Sequence, residues 1–329
     1  MQKFLRFTII LFTIQSLSVL AFGQSSSIKK GYVTYDFTFA ELAIQYLETG
    51  DSGYLFKIAE TDAARHIFNH ANKFNYDVPK GSTLALVKYL LTPVEEKRKI
   101  LPGFKRNLQY AKDSIAGTDL AQTVCLKLLP KGFEYNGLTH LFFTFGYDLG
   151  VTIAGNASIN LAHPHYLQDR RELKYYSIHE LHHAGFLQLK NNTMVDLNIH
   201  TYSEMTTLIE YYTHLEGMGT YAPFDIRQNE HALNADHDYI VLQDTALMRE
   251  QVKEYFTIYF YFKDNPQKTI TDQDWEKISI LSDKKRLWYT VGAKMAKTIN
   301  EKLGREKLTN LMLEPSVNFI KAYLTIKNK

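Results

Sequence analysis

Five consecutive residues, His179-Glu180-Leu181-His182-His183, constrain this chain more than any other stretch. They fit the pattern H-E-x-x-H. Leu173 to Lys190 contains no proline, and its one glycine, Gly185, follows the motif, so the segment predicts a helix. Residues four apart share a helix face. His179 and His183 therefore point two imidazoles at one spot, and Glu180 stands beside the first, in reach of a water held there. That set suits Zn²⁺ and suits oxygen-seeking Mg²⁺ or Ca²⁺ poorly. His182 lies about 100° round the helix from His183 and reads as a bystander or as a group that orients a ligand. A chain with 12 His meets the pattern by chance in roughly a few per cent of cases, so context has to carry the reading.

A catalytic zinc needs a third protein ligand and an open fourth position. No histidine follows at the spacing of the longer H-E-x-x-H-x-x-G-x-x-H pattern. The candidates lie in the next strong helical segment, Thr201 to Tyr221, for which Ser203 is a candidate cap. Stepped by about 100° per residue, Met205, Leu208, Ile209, Tyr212, Leu215 and Gly219 form one apolar face. Glu216 falls near its middle, Glu204 at its edge, and Glu210 on the opposite side beside His214, as an ordinary exposed pair. A carboxylate within a buried face is costly unless paired or bound to metal. Zinc ligation accounts for Glu216, and a buried ion pair with Arg or Lys is the competing account.

HELHH followed by a helix carrying Glu216-Gly217-Met218-Gly219-Thr220-Tyr221 resembles a gluzincin, the zinc peptidase class with two His and one Glu. Tyr289-Thr290-Val291-Gly292-Ala293-Lys294-Met295-Ala296, then Leu303 to Leu308, is similar to the tail helices of uncharacterised secreted bacterial zinc-dependent peptidases. The resemblance covers roughly residues 135 to 325. It implies a metallopeptidase-like fold with His179, His183 and Glu216 as metal ligands, and it names no substrate.

The start of the chain reads as an export signal. Lys3 and Arg6 precede a mostly apolar stretch from Phe7 to Phe22, and Ala21-Phe22-Gly23 offers small residues for cleavage before Gln24. The apolar run is short and interrupted for a membrane span, so no stable membrane insertion is expected after cleavage. Cleavage lowers the formal charge from +3 to +1, which gives no general pull towards nucleic acid or anionic lipid. Cys125 is the only cysteine, excluding an intrachain disulfide framework, and its apolar neighbours mark it as core.

Residues 24–118 read as an N-terminal helical region, with helices over 37–47, 61–72, 82–91 and 93–114, and as a candidate cover for the cleft. His66 and His70 are four apart there, but Ile67 stands where a base would be, so they read as surface or packing histidines. Residues 119–329 read as a zincin-like catalytic region. Gln122 to Leu129, Leu138 to Phe145 and Ala157 to Leu161 predict strands separated by glycines. The last comes just before the metal helix, where an exposed edge would bind a peptide as an added strand. His163 and His165 at its end are candidates to approach the cleft. Tyr221, His231 and His237 are candidates to stabilise an oxyanion. Further helices are expected over 239–262, 271–280, 287–303 and 306–313, packed behind the site.

The expected fold is α+β and mainly helical, with a small sheet before the H-E-x-x-H helix and a C-terminal helical bundle. The expected activity is zinc-dependent hydrolysis of a peptide or protein substrate in the periplasm or outside the cell, with Glu180, Tyr221 and His231 as candidate catalytic residues. The alternatives are a zincin-fold binding protein without activity, a zinc hydrolase of a non-peptide amide or ester, and a helical protein with an accidental motif. The sequence leaves the oligomeric state open.

Overall fold

A computed structural model describes residues 26–137 and 139–327. The expected signal peptide, residues 1–23, lies outside them. The chain opens with strands β1 (Ser27–Lys30) and β2 (Val33–Asp36). Helices α1 (Thr38–Thr49), α2 (Gly53–Ala59), α3 (Asp62–Lys73) and α4 (Thr83–Leu91) follow. Next come α5 (Val94–Arg98), α6 (Leu101–Tyr110), a π-helical turn over Ala111–Ala116, and α7 (Leu120–Leu126). Strands β3 (Thr139–Thr144), β4 (Gly150–Ile153) and β5 (Asn156–Asn160) lead through α8 (Pro164–Gln168) into α9 (Arg171–Leu189), which carries the HELHH motif. The remainder is helical: α10 (Tyr202–Tyr221), α11 (Phe224–Asn229), α12 (His237–Gln243), α13 (Thr245–Lys263), α14 (Asp272–Ser279), α15 (Leu287–Leu303), α16 (Arg305–Asn310) and α17 (Val317–Lys327). Among the described residues no helix is long and apolar enough to cross a membrane.

The five strands form one mixed sheet in the order β1-β2-β3-β5-β4. Strands β2, β3 and β5 run parallel, while β1 and β4 pair antiparallel at the two edges. The fold is thus mainly helical with a small sheet, as expected. The N-terminal region supplies two of its strands, so residues 24–118 and 119–329 share a sheet through the β2–β3 pairing. Helix α9 packs on β4 and β5, and α3 packs on the same two strands.

Three expectations about elements are corrected. Residues 122–129 belong mostly to helix α7, not to a strand; an apolar run of this length has no decisive period. Its buried Cys125 Sγ donates to the Ile178 carbonyl of α9. The stretch expected as one helix over 239–262 breaks at Asp244, whose carboxylate caps α13 by accepting from the Ala246 and Leu247 amides. Strand β5 is internal; the edge beside α9 is β4.

Helix α9 is buried nearly all round, and its polar residues Glu172, Ser177, His179, Glu180, His182 and His183 are buried with it. Such groups require partners, and those partners make the site. Helix α10 starts with a capping box in which Thr201, not Ser203, is the cap and Glu204 returns the bond. Its far face is covered by α13 and α17. Glu210 therefore accepts from Tyr259 and Lys263, and His214 is fully buried between Phe186 and Phe319, correcting the expected exposed pair.

Candidate metal centre

Helices α9 and α10 bring the three expected ligands together. His179 Nε2 lies 3.3 Å and His183 Nε2 lies 3.0 Å from the same atom, Glu216 Oε2. Four bonds of about 2.1 Å in a tetrahedron put neighbouring donors about 3.4 Å apart, so this spacing suits one zinc ion. Two imidazoles and a carboxylate are also a zinc donor set. Gly219 makes the convergence possible: a β-carbon there would sit 2.5 Å from His183 Cε1 and 3.1 Å from His179 Cε1.

Electrostatics within the trio follow from the geometry. Burial would raise the Glu216 carboxyl, but the charge and hydrogen bonds of His183 and His179 outweigh it and hold it well below the ordinary range. Burial lowers His179 to about 4, helped by repulsion from His183. Burial would lower His183, but the charge and hydrogen bond of Glu216, together with the charge of Glu180, outweigh it and raise it.

Glu180 sits beside the trio against the edge strand. Thr152 Oγ1 donates to its Oε2 at 2.7 Å and to its backbone carbonyl at 3.1 Å. Gly150 leaves room for it, since a β-carbon there would lie 2.9 Å from Glu180 Oε1. Burial raises the Glu180 carboxyl to about 7, with Glu216 and Asp148 adding to the shift and His183 and Thr152 opposing it. A carboxylate poised near neutrality is suited to taking and returning a proton.

These residues line a cavity of about 370 Å³. Leu187, Met194, Tyr212 and Leu215 line it, as do Phe74 and Tyr76 from the chain around the end of α3. The N-terminal region thus forms a wall of the cleft. The start of α15 forms another wall and does not pack behind the site. Tyr289 stacks on His179, with ring centroids 6.3 Å apart, and the Arg286 guanidinium lies over the Tyr289 ring, 3.7 Å from its centroid. Arg286 has φ +50° and is clamped by Asp238 through bonds of 2.9 to 3.0 Å. Among the described residues the Tyr289 hydroxyl has no hydrogen-bond partner.

The other sequence candidates are not brought to this centre. Tyr221 lies five residues past Glu216, about 140° round the helix, and its hydroxyl accepts from Asn300 Nδ2 at 2.8 Å. His231 is an exposed turn residue with φ +53°, and His237 is exposed at the start of α12. None of the three is among the cavity's lining residues. His182 points away from the trio, with Nε2 3.1 Å from the Leu128 carbonyl.

His66 and His70 are buried, not on the surface. His66 approaches the Val151 carbonyl and His70 the Tyr147 hydroxyl. His163 caps α8. His165 gathers with Glu172 and Asp236 in a second cluster of metal-ligating groups. The Glu172 carboxylate of that cluster is already paired: Arg227, sandwiched between Tyr175 and Tyr239, holds it with two bonds of 2.7 and 2.5 Å.

Tyr289, Arg286, Asp238, Thr152 and Asp148 are among the lining residues that sequence reasoning did not assign. Tyr289 stands in a stretch whose likeness was noticed but whose place in the fold was not legible. Arg286, three residues before it, carried no local pattern.

Residues 58–329 match the model of a family described as "Putative zinc dependent peptidase" (DUF5700), and the chain belongs to that family. No curated protein matches, and no solved structure matches.

Proposed function

We propose that this protein is an exported zinc peptidase of the gluzincin type, with a zincin-like arrangement of sheet and metal helix. His179, His183 and Glu216 hold the ion. The observation that carries this reading is the convergence of their three donor atoms in a cavity that also holds Glu180. Bound zinc supplies Lewis acidity, activating water and polarising a carbonyl.

The chain's own residues supply the rest. Thr152 engages Glu180 Oε2 and leaves Oε1 free to accept the proton of the attacking water and pass it to the leaving amine. The unpartnered hydroxyl of Tyr289 donates to the developing oxyanion, in the role the sequence had offered to Tyr221 or His231. Strand β4 orients the substrate. Leu149 bonds inward to Asn160, so by alternation the backbone groups of Gly150 and Thr152 face outward at the sheet edge, where a peptide adds as a further strand. Residues 1–23 direct export and are removed before Gln24.

The deciding experiment measures zinc per chain in the purified protein after dialysis, then peptide cleavage by wild type and Glu180→Gln. One zinc per chain in both, with cleavage only in wild type, is the expected result. Zinc-free protein, after incubation with the metal, overturns the reading. Equal cleavage by both proteins removes Glu180 from the mechanism.

A further inference from the structure

We propose that Asp148, with the aromatic rings of Phe74, Tyr76 and His70, forms a subsite for a cationic group of the peptide, either its terminal ammonium or a Lys or Arg side chain. The inference rests on the peptidase reading and names a substrate class for the same cavity.

Asp148 lies in the cavity wall, on the loop that leads into β4. Asn160 fixes that loop: its side-chain oxygen accepts from the Gly146 amide at 2.9 Å, and its amide donates to the Tyr147 carbonyl at 2.7 Å. The Asp148 carboxylate accepts from the Leu149 amide at 2.7 Å and from the Tyr76 hydroxyl at 2.5 Å. It makes no ion pair with any described residue. Asp238, in the same cavity wall, is by contrast clamped by Arg286. The charge on Asp148 is left for whatever enters.

The groups around it favour a cation. Phe74, Tyr76 and His70 line the cavity beside one another, with His70 centroids 4.5 Å from Phe74 and 5.3 Å from Tyr76. Ring faces attract cations, and a carboxylate adds to that attraction in a partly dry site. Burial holds His70 at about 4, so it is neutral and does not compete for Asp148. A neutral substrate group would desolvate the carboxylate without compensation, and an anionic one would be repelled.

The reach is short. Two residues of extended chain, about 7 Å, separate Asp148 from Gly150, which touches Glu180. The cation therefore falls within about two residues of the bond cleaved.

The test uses the zinc-loaded full-length mature protein and a set of matched hexapeptides. Lys is scanned through every position against norleucine, and each peptide is made with a free and an acetylated N-terminus. The expected result is at least a tenfold advantage in kcat/KM, expressed mainly in KM, for a peptide with the cation in place. Loss of the advantage on acetylation identifies the terminal ammonium; loss with norleucine identifies a side chain. Asp148→Asn is expected to bring the ratio close to one. Calorimetric binding of the same peptides to zinc-loaded Glu180→Gln reads the subsite without turnover. Equal kcat/KM across the wild-type set, or a ratio unchanged in Asp148→Asn, overturns the inference and leaves the peptidase reading intact. Cation-dependent binding without any cleavage by wild type supports the subsite and overturns the peptidase reading. Absence of both cleavage and cation-dependent binding overturns the subsite.

Discussion

Gly217 and Gly292 meet where α10 crosses α15, so closely that a β-carbon on Gly217 would lie 2.4 Å from the Gly292 carbonyl carbon. Glu216 precedes the first glycine, and Tyr289 lies one turn before the second. The crossing therefore sets the position of the tyrosine against the ligand trio. Gly217→Ala or Gly292→Ala should destabilise the fold by about 3 kcal/mol, the upper range for overpacking, because backbone faces backbone. Urea unfolding measures this; a change under about 0.5 kcal/mol would show that the helices can part freely.

Gly219 faces the two imidazoles, so its replacement tests the centre and not the helix crossing. Gly219→Ala should weaken zinc binding by about ten- to a hundredfold, the range seen when the groups that orient metal ligands are disturbed. Competition with a chromophoric chelator gives the affinity directly. An unchanged affinity would place the metal elsewhere.

Glu216 and Glu180 should separate cleanly. Glu216→Ala is expected to lose zinc, whereas Glu180→Gln keeps zinc and loses about a hundredfold or more in kcat. Equal zinc content in wild type and Glu216→Ala would remove Glu216 from the ligand set. Glu204 is engaged in its capping box and Glu210 with Tyr259 and Lys263, so neither stands ready as a substitute.

Tyr289→Phe keeps the ring on His179 and removes only the hydroxyl. A loss of about 10²–10³ in kcat with unchanged zinc content is the expected outcome, the size found for single oxyanion donors. A loss confined to KM would mark Tyr289 as a binding residue instead.

Buried histidines make the fold acid-sensitive. Burial lowers His66 to about 3 and His70 to about 4, and it drives His214 well below its ordinary value. The unfolded chain takes up these protons near pH 6.5, and the folded chain does not. Their contribution to stability is therefore complete above about pH 6.5 and is lost as pH falls from there towards 4 and 3, on the order of 3–5 kcal/mol for each of His66 and His70. Unfolding free energies at pH 7.5 and 4.5 check the slope, and His66→Gln should make it shallower. A stability that rises on acidification would contradict the assignment.

The centre was legible because it is local. The spacing of His179 and His183, and the place of Glu216 on an apolar helix face, depend only on 3.6 residues per turn. The same projection places Tyr221 away from Glu216. Tyr289, Arg286 and Asp148 arrive through packing between segments far apart in sequence, and no periodicity announces that. The outer face of α10 was misread for the same reason: an exposed pair was expected because nothing local signals that α13 and α17 cover Glu210 and His214. Strand β4 is only four residues long and glycine-led, too short to show alternation.

The β2–β3 pairing has a temporal meaning as well. Val33 and Thr139 are register partners across more than a hundred intervening residues. As the chain is made, Val33 and Tyr35 must wait for most of the first half of the molecule before their neighbours exist. Sheets closed by such distant contacts form slowly. For a protein that we propose is exported, this delay is useful. A chain whose sheet closes late stays extended for longer, which suits the export we propose, and β4 and β5 join β1 and β2 in one sheet only once β3 has been made.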